Sequence, residues 1–517
     1  MSKKVLSITL ISLFSFFFLL LLLKPVNLWT ADLGRHIRNG EMILNGQTDV
    51  FYKNFYSYTF PDYPFINHHW LTGVVFFLVY ETGGFSALSI FFGFISLVTV
   101  LLFLDTARRL SNIFIAVATG LILLPLLTYR NEIRPEIFSY LFTGIFLWVL
   151  TLFSLKKINK KWLLILPLVS IFWVNLHIYF FFGQFILGVF GLNFLVKWIF
   201  VKDKTAKNNF LYLLLIGSFS LGALLLNPFG FKNIIHPFNI YGNYGYRVLE
   251  EQNLFFLERV IKLPIINYFK LIFGILILSW TYIIFKNFRK LKNISLINLI
   301  FTLVFSYLGW IMLRNITFFA LFSLVLISAN FKNLTEELKK SPSLKFILAI
   351  VLGCFLFFLL MLLPAQLQER HFGLGTPENT NASAKFFKEN SLKGPIFNNY
   401  DIGGYLIFEL YPQEKVFVDN RPEVYPKDFL QEELVKSQED NSKWEALDKK
   451  YNFNTIFFYR LDLTPWAQSF LISRVKDPNW APVYVDQGTI IFIKRTEENA
   501  EIIKKYELPK EMFQTSR

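Results

Sequence analysis

Apolar residues fall along this chain in long blocks separated by polar stretches. The first block, Ile8 to Leu23, precedes a polar loop from Asn27 to Trp70. Further blocks occupy 84–104, 112–127, 135–154, 162–178, 180–199, 210–226, 266–285, 295–312, 315–330 and 344–363. Blocks of this length and apolarity are transmembrane helices, about eleven with the first. No small-residue cleavage site follows the first block at Lys24–Asn27, so we expect an uncleaved anchor. The run His69–Tyr80 is too short to cross and is expected to lie along the surface, before a break at Gly83-Gly84.

The polar loop opens with a second amphipathic pattern. Leu33, Ile37 and Leu44 lie near one side of a helix, while Asp32, Arg35, His36 and Asn39 share the other. Asp32 and His36 are therefore within reach of each other. An interfacial helix with its charges in water would show the same pattern. From about Ala365 the long apolar blocks stop and charges, Asn and Pro rise, which divides the chain into 1–364 and 365–517. Strand-like runs at 395–398, 415–419, 455–458, 482–486 and 489–494 alternate early on with helical patterns at 383–390, 404–410 and 429–449. That alternation predicts a small α/β domain, closed by a hairpin turning at Gly488.

Composition agrees with a membrane protein: 54% of the 517 residues are hydrophobic and 17% charged, and mean hydropathy is +0.43. The net charge of +15 calls for no nucleic acid. Its basic residues cluster on alternate loops, at Arg108-Arg109, Lys156–Lys161, Lys197–Lys207, Lys286–Lys292 and Lys332–Lys345. The positive-inside rule places those loops and the N-terminus in the cytoplasm. An odd number of crossings then puts the C-terminal domain outside. Cys354 is the single cysteine, so no intrachain disulfide forms. No CxxC, Walker, GxGxxG or HExxH motif occurs.

The outer side collects the unusual polar residues. It receives Asp32, His36, Asp49, Asp62, His68 and His69 in the first loop, then Arg134, then Asn175 and His177. It also receives 227–263, with His236, Tyr241, Tyr244, Arg247, Glu250 and Glu251, and finally Arg314. Polar groups at membrane depth normally face a cavity, so one external cleft is expected. In the C-terminal domain Asp401, Tyr405, Asp419 and Arg421 lie in polar strings after strands, where α/β domains place ligands. Turn, cap and packing chemistry is the alternative for these four.

The strings Asp32-x-x-x-His36, His68-His69-Trp70-Leu71, Arg134-Pro135-Glu136, Asn175-Leu176-His177, Asn227-Pro228-Phe229-Gly230, Arg314-Asn315-Ile316 and Tyr400–Tyr405 lie within this architecture. The whole resembles the GT-C class of integral-membrane glycosyltransferases, and most closely a group of bacterial GT-C-like multi-pass proteins. The resemblance implies sugar transfer from a polyprenyl-phosphate-linked donor to an envelope glycan, lipid or protein, outside the plasma (inner) membrane. Asp32 would be the general base, with His36 beside it. Arg134, Arg314, His68 and His69 would meet the leaving phosphate, and Asn175 and His177 the donor or sugar. The resemblance fixes no cofactor, and a divalent metal on Asp32 and a histidine is an open alternative. Related enzymes carry adjacent acids in the first loop; here Leu33 follows Asp32. Two other readings stay open: a non-catalytic membrane protein that binds envelope glycan or partners, and a lipid flippase or transporter. A transporter is expected to show internal repeats, and none is visible.

Overall fold

The structure, a computed structural model, describes residues 3–240, 248–288, 294–333 and 372–513. The expected span at 344–363, with Cys354, and the loop residues Tyr241, Tyr244 and Arg247 lie outside the described residues. The apolar blocks become helices α1 (Lys3–Leu22), α3 (Trp70–Leu110), α4 (Ile113–Leu127), α5 (Glu136–Ser154), α6 (Ile165–Leu176), α7 (Phe181–Val201), α8 (Lys204–Ala223), α10 (Pro264–Lys286), α11 (Leu296–Ile311) and α12 (Ile316–Asn330). Among the described residues, six helices are long and apolar enough to cross a membrane, and α4 and α11 are shorter apolar helices. The chain is a multi-pass membrane protein. Polar helices α2 (Leu33–Leu44) and α9 (Phe231–Asn239) lie in the connections.

The expected break at Gly83-Gly84 is present: α3 is two helices that meet across a kink, with both glycines in non-helical backbone. It bends at Gly83 and Gly84, where Gly84 takes φ 64° and ψ −150°, a region that glycine enters without steric cost. The alternative for α2, an interfacial helix with its charges in water, does not hold. Leu33 and Ile37 are buried on one side, and Arg35, His36 and Asn39 are buried on the other. One face packs on the start of α3, close enough that a Cβ on Gly40 would stand 2.1 Å from the carbonyl oxygen of Gly73. The other face is covered by the C-terminal unit.

That unit carries a four-stranded sheet in the order β1-β2-β4-β3, with β1 (Ile396–Phe397), β2 (Thr455–Tyr459), β3 (Trp480–Val485) and β4 (Thr489–Lys494). β1 runs parallel to β2, while β4 pairs antiparallel with both β2 and β3. Helices α13 (Ala382–Glu389), α14 (Gly403–Leu410), α15 (Asn441–Tyr451) and α16 (Pro465–Lys476) pack around it. The helix expected over 429–449 breaks at Asp440, whose side chain caps α15.

The run at 415–419 is not a strand of the sheet. Its backbone is spent on the first loop and on a side chain. Val416 N donates to the Tyr56 oxygen, and Tyr58 N donates to the Val416 oxygen. The Asn398 side chain accepts from Phe417 N at 2.9 Å and donates to Val418 O at 2.7 Å.

First loop and C-terminal unit therefore share one interior. Leu28, Trp29, Met42 and Tyr56 belong to a buried cluster with Phe387, Tyr405, Phe457 and Ile491. Phe65 belongs to a second, with Phe417, Trp444 and Phe470. Hydrogen bonds run across the same boundary, from Trp29 Nε1 to Thr380 O, Asn54 Nδ2 to Val424 O and Tyr58 OH to Ile396 O.

Candidate active site

Asp32 stands at the N-terminal boundary of α2. Its Oδ1 accepts from Asn420 Nδ2. Its Oδ2 lies 3.8 Å from Arg35 Nη2, and the side chain keeps 25% of its exposure. Burial raises the Asp32 carboxyl above its ordinary value, and Arg134 and Arg35 pull against that rise. A second carboxylate arrives from the C-terminal unit. Asp401 is half-buried, and burial, reinforced by the charges of Asp462 and Asp32, pushes its carboxyl up to about 7. Asp401 is far from Asp32 along the chain, yet the charge of Asp32 acts on it.

Asp32 and His36 share a helix face but meet through the backbone, His36 N donating to Asp32 O at 3.1 Å. Asn420 and Arg35 occupy the Asp32 carboxylate. The His36 ring turns instead to His69, with centroids 5.6 Å apart. His69 continues to His68 at 3.9 Å and to His177 at 5.1 Å, and His68 to His236 at 5.0 Å. Five of the chain's six histidines form this one contiguous cluster. Burial holds His36, His68 and His69 well below the usual imidazole range, and neighbouring positive groups push the same way. Their rings are thereby held toward the neutral form. His236 is the member that sequence reading left outside the site; its distance in sequence hides its nearness to His68.

The site's positive charge lies in three arginines. Arg130 Nη1 bonds Glu250 at 2.5 Å, and Arg134 Nη1 and Arg314 Nη2 each bond it at 2.8 Å. Each arginine has a further acid: Glu136 for Arg130 at 2.9 Å, Glu132 for Arg134 at 2.7 Å and Glu251 for Arg314 at 3.0 Å. Burial alone would raise the Glu250 carboxyl; the three guanidinium groups outweigh it and hold it well below the carboxylate range. Arg134 and Arg314 were singled out in the sequence, whereas Arg130 and the hub role of Glu250 were not. These groups meet because two apolar helices separate each polar segment from the next. The chain returns to one end of the bundle at 128–135, 175–177, 226–263 and 313–315.

Asn175 accepts from Trp70 Nε1 at 2.8 Å and donates to Leu226 O at 2.9 Å. It clamps the start of α3 to the end of α6. His177 Nδ1 pairs with Ser139 Oγ at 2.6 Å, and that hydroxyl accepts from Trp173 Nε1. Asp49 and Asp62 lie exposed beside Lys53, away from the buried groups.

Among the four C-terminal candidates, Asp401 is the one on whose carboxyl the charge of Asp32 acts. Tyr405 is buried and bonded to Ser383, Ala384 N and Thr380 O. Asp419 and Arg421 form a sealed pair at 2.6 Å, with 0% and 3% of their side chains exposed. Arg421 also donates to Asn54 Oδ1 at 2.7 Å. These three hold the unit to the first loop, which is the packing alternative. Among the described residues no three His, Cys, Asp or Glu side chains are arranged to hold a metal ion. The Asp32 carboxylate, occupied by Asn420 and Arg35, does not form such a set with His36.

No family model and no curated relative matches this chain. Its fold is similar to that of the Archaeoglobus fulgidus oligosaccharyltransferase, solved in complex with Zn and sulfate. The TM-score is 0.54 at 13% identity, covering 94% of this chain and 73% of that one. It is also similar to ArnT from Cupriavidus metallidurans in the apo state, with a TM-score of 0.53 at 14% identity, covering 95% and 97%. At such identity the likeness concerns architecture, and in architecture the chain has the fold of the GT-C membrane glycosyltransferases.

Proposed function

We propose that this protein is a membrane glycosyltransferase that moves a sugar from a polyprenyl-phosphate-linked donor to an acceptor hydroxyl. The observation that carries the reading is the placing of Asp32. It is a half-buried carboxylate whose proton affinity is raised by burial, against the pull of Arg134 and Arg35. A carboxylate of this kind can take the proton of an acceptor hydroxyl as its oxygen attacks the anomeric carbon. The bond from that carbon to the phosphate oxygen breaks, and the electron pair leaves with the phosphate. Arginine suits a phosphate leaving group because its fork binds two oxygens at once. Asp401, whose carboxyl is pushed up to about 7, would take the proton on from Asp32.

The excess of Lys and Arg on the opposite loops supports an extracytoplasmic site and a cytoplasmic N-terminus. An envelope glycan, lipid or protein is then the acceptor. The architecture it shares with an oligosaccharyltransferase and with ArnT agrees with this class. No step is routed through a metal, because Asp32 has other partners.

The test is the Asp32→Asn variant, purified in detergent and compared with wild type for melting temperature. Sugar transfer from native lipid-linked donors is expected to fall by about 10²- to 10⁴-fold, the usual contribution of a general base. Full activity in a folded Asp32→Asn protein would remove Asp32 from that role.

A further inference from the structure

Two buried ion-pair systems in this protein look alike and differ in one respect. Asp419–Arg421 is sealed, with almost no exposure. The cluster around Glu250 is not: 18% of the Glu250 side chain is exposed, and 12%, 19% and 16% of Arg130, Arg134 and Arg314. Three guanidinium groups from two separate connections converge on one carboxylate that is not sealed. A guanidinium fork fits carboxylate and phosphate oxygens equally well.

Charge makes the likeness closer. Arg130, Arg134 and Arg314 carry three positive charges. Glu132, Glu136 and Glu251 supply three negative ones. Glu250 adds one more, as one phosphodiester would. Exchanging one for the other leaves the local charge unchanged, which a buried cluster requires. Below Arg130 lies a small slot of about 30 Å³, lined by Phe18, Leu22, Phe92, Ser96, Thr99 and Thr317 among others. It has the size of about one water molecule, so a hydrocarbon chain enters there only if its walls part.

We propose that Glu250 is an internal anion that holds the Arg130–Arg134–Arg314 cradle closed, and that the phosphodiester of a lipid-linked donor displaces it in order to bind. This rests on the donor reading given above. It explains why the arginines best suited to a phosphate are all engaged: their charge stays compensated by Glu250 until a phosphodiester replaces it. Arg130 becomes a third phosphate ligand.

The test uses the full-length protein in detergent and Glu250→Gln, with Glu251→Gln as a control that touches the cradle only through Arg314. Melting temperature is followed with dimethyl phosphate, with a prenyl phosphodiester and with sodium chloride at matched ionic strength. Glu250→Gln is expected to melt lower than wild type without phosphate and to regain several degrees with dimethyl phosphate. Wild type and Glu251→Gln are expected to change little. A larger gain with the prenyl compound assigns the slot to lipid; an equal gain limits the site to the phosphate group and overturns the lipid part. Equal phosphate stabilisation of wild type and Glu250→Gln overturns the competition while leaving a phosphate site. No stabilisation of either overturns the anion exchange itself, and the Asp32→Asn assay then decides sugar transfer separately. Should Glu250→Gln fail to fold, Glu250→Asp keeps the charge on a shorter arm and is expected to show a smaller gain of the same sign.

Discussion

The side-chain amide of Asn420 donates to the carboxylate of Asp32 across 388 positions of chain, while its oxygen accepts from Arg35 Nε at 3.5 Å. One neutral side chain therefore sets both the acid and the cation at the start of α2. Replacing it with Asp would set two carboxylates against each other, and like charges raise each other's proton affinity. Asp32 is already raised by burial, and the ionised form is the proposed base, so the rate falls as pH drops through its pKa. Asn420→Asp is expected to shift the acidic limb of kcat/KM to higher pH by about one unit. An unmoved limb in a folded variant would mean that Asp32 is not the titrating group.

Asp401 gives a stability test that needs no substrate. Its carboxyl titrates near 7 in the folded protein against an ordinary value of 3.8. The folded state binds that proton more tightly, so the stability it adds is complete below the ordinary value. It is lost as pH rises through about 7. Asp401→Asn is expected to be more stable than wild type at pH 8, by about 2 kcal/mol allowing for solvent at a half-buried site. The difference is expected to vanish near pH 4. Denaturation curves at the two pH values measure it, and identical curves at pH 8 would contradict it.

The sealed Asp419–Arg421 pair predicts a different outcome. Asp419→Ala leaves the Arg421 charge buried against Tyr56 and Phe65 without its carboxylate. A loss of about 3–5 kcal/mol is expected, and a smaller one when Arg421→Met is added, because the double change leaves no unpaired charge. Protease resistance and melting temperature in detergent report this. A single variant as stable as wild type would show the pair to be dispensable.

Residues 372–517 expressed alone are expected not to fold, because Leu28, Trp29, Met42, Tyr56 and Phe65 complete their interior. Joined to residues 27–70, the same segment is expected to be folded by near-UV circular dichroism. A stable isolated fragment would refute the shared core.

The helical part was legible because membrane-spanning runs are apolar on every side, so the blocks mark themselves without knowledge of their neighbours. The paired crossings also carried the gathering of Arg134, His177 and Arg314 at one end. What the sequence hid was pairing between distant segments. Asp401 and Asp419 stand in similar polar strings after similar apolar runs, yet the charge of Asp32 acts on one and the other is sealed against the first loop. The run at 415–419 has the composition of a strand, but its hydrogen bonds go to Tyr56, Tyr58 and Asn398. Glu250 was expected on the outer side, but not as the partner of three arginines, which come from other connections.

The order in which a ribosome delivers the chain gives the shared interior a further meaning. Asp32 leaves the ribosome early, whereas Asn420 follows only after every described membrane helix has been made. A nascent chain interrupted before that point carries the acid without the partner that fixes it. Its closing contacts span most of the polypeptide, the kind of long-range closure that forms slowly. Activity is therefore tied to completed synthesis and delivery of the C-terminal unit to the side of the membrane that holds the first loop.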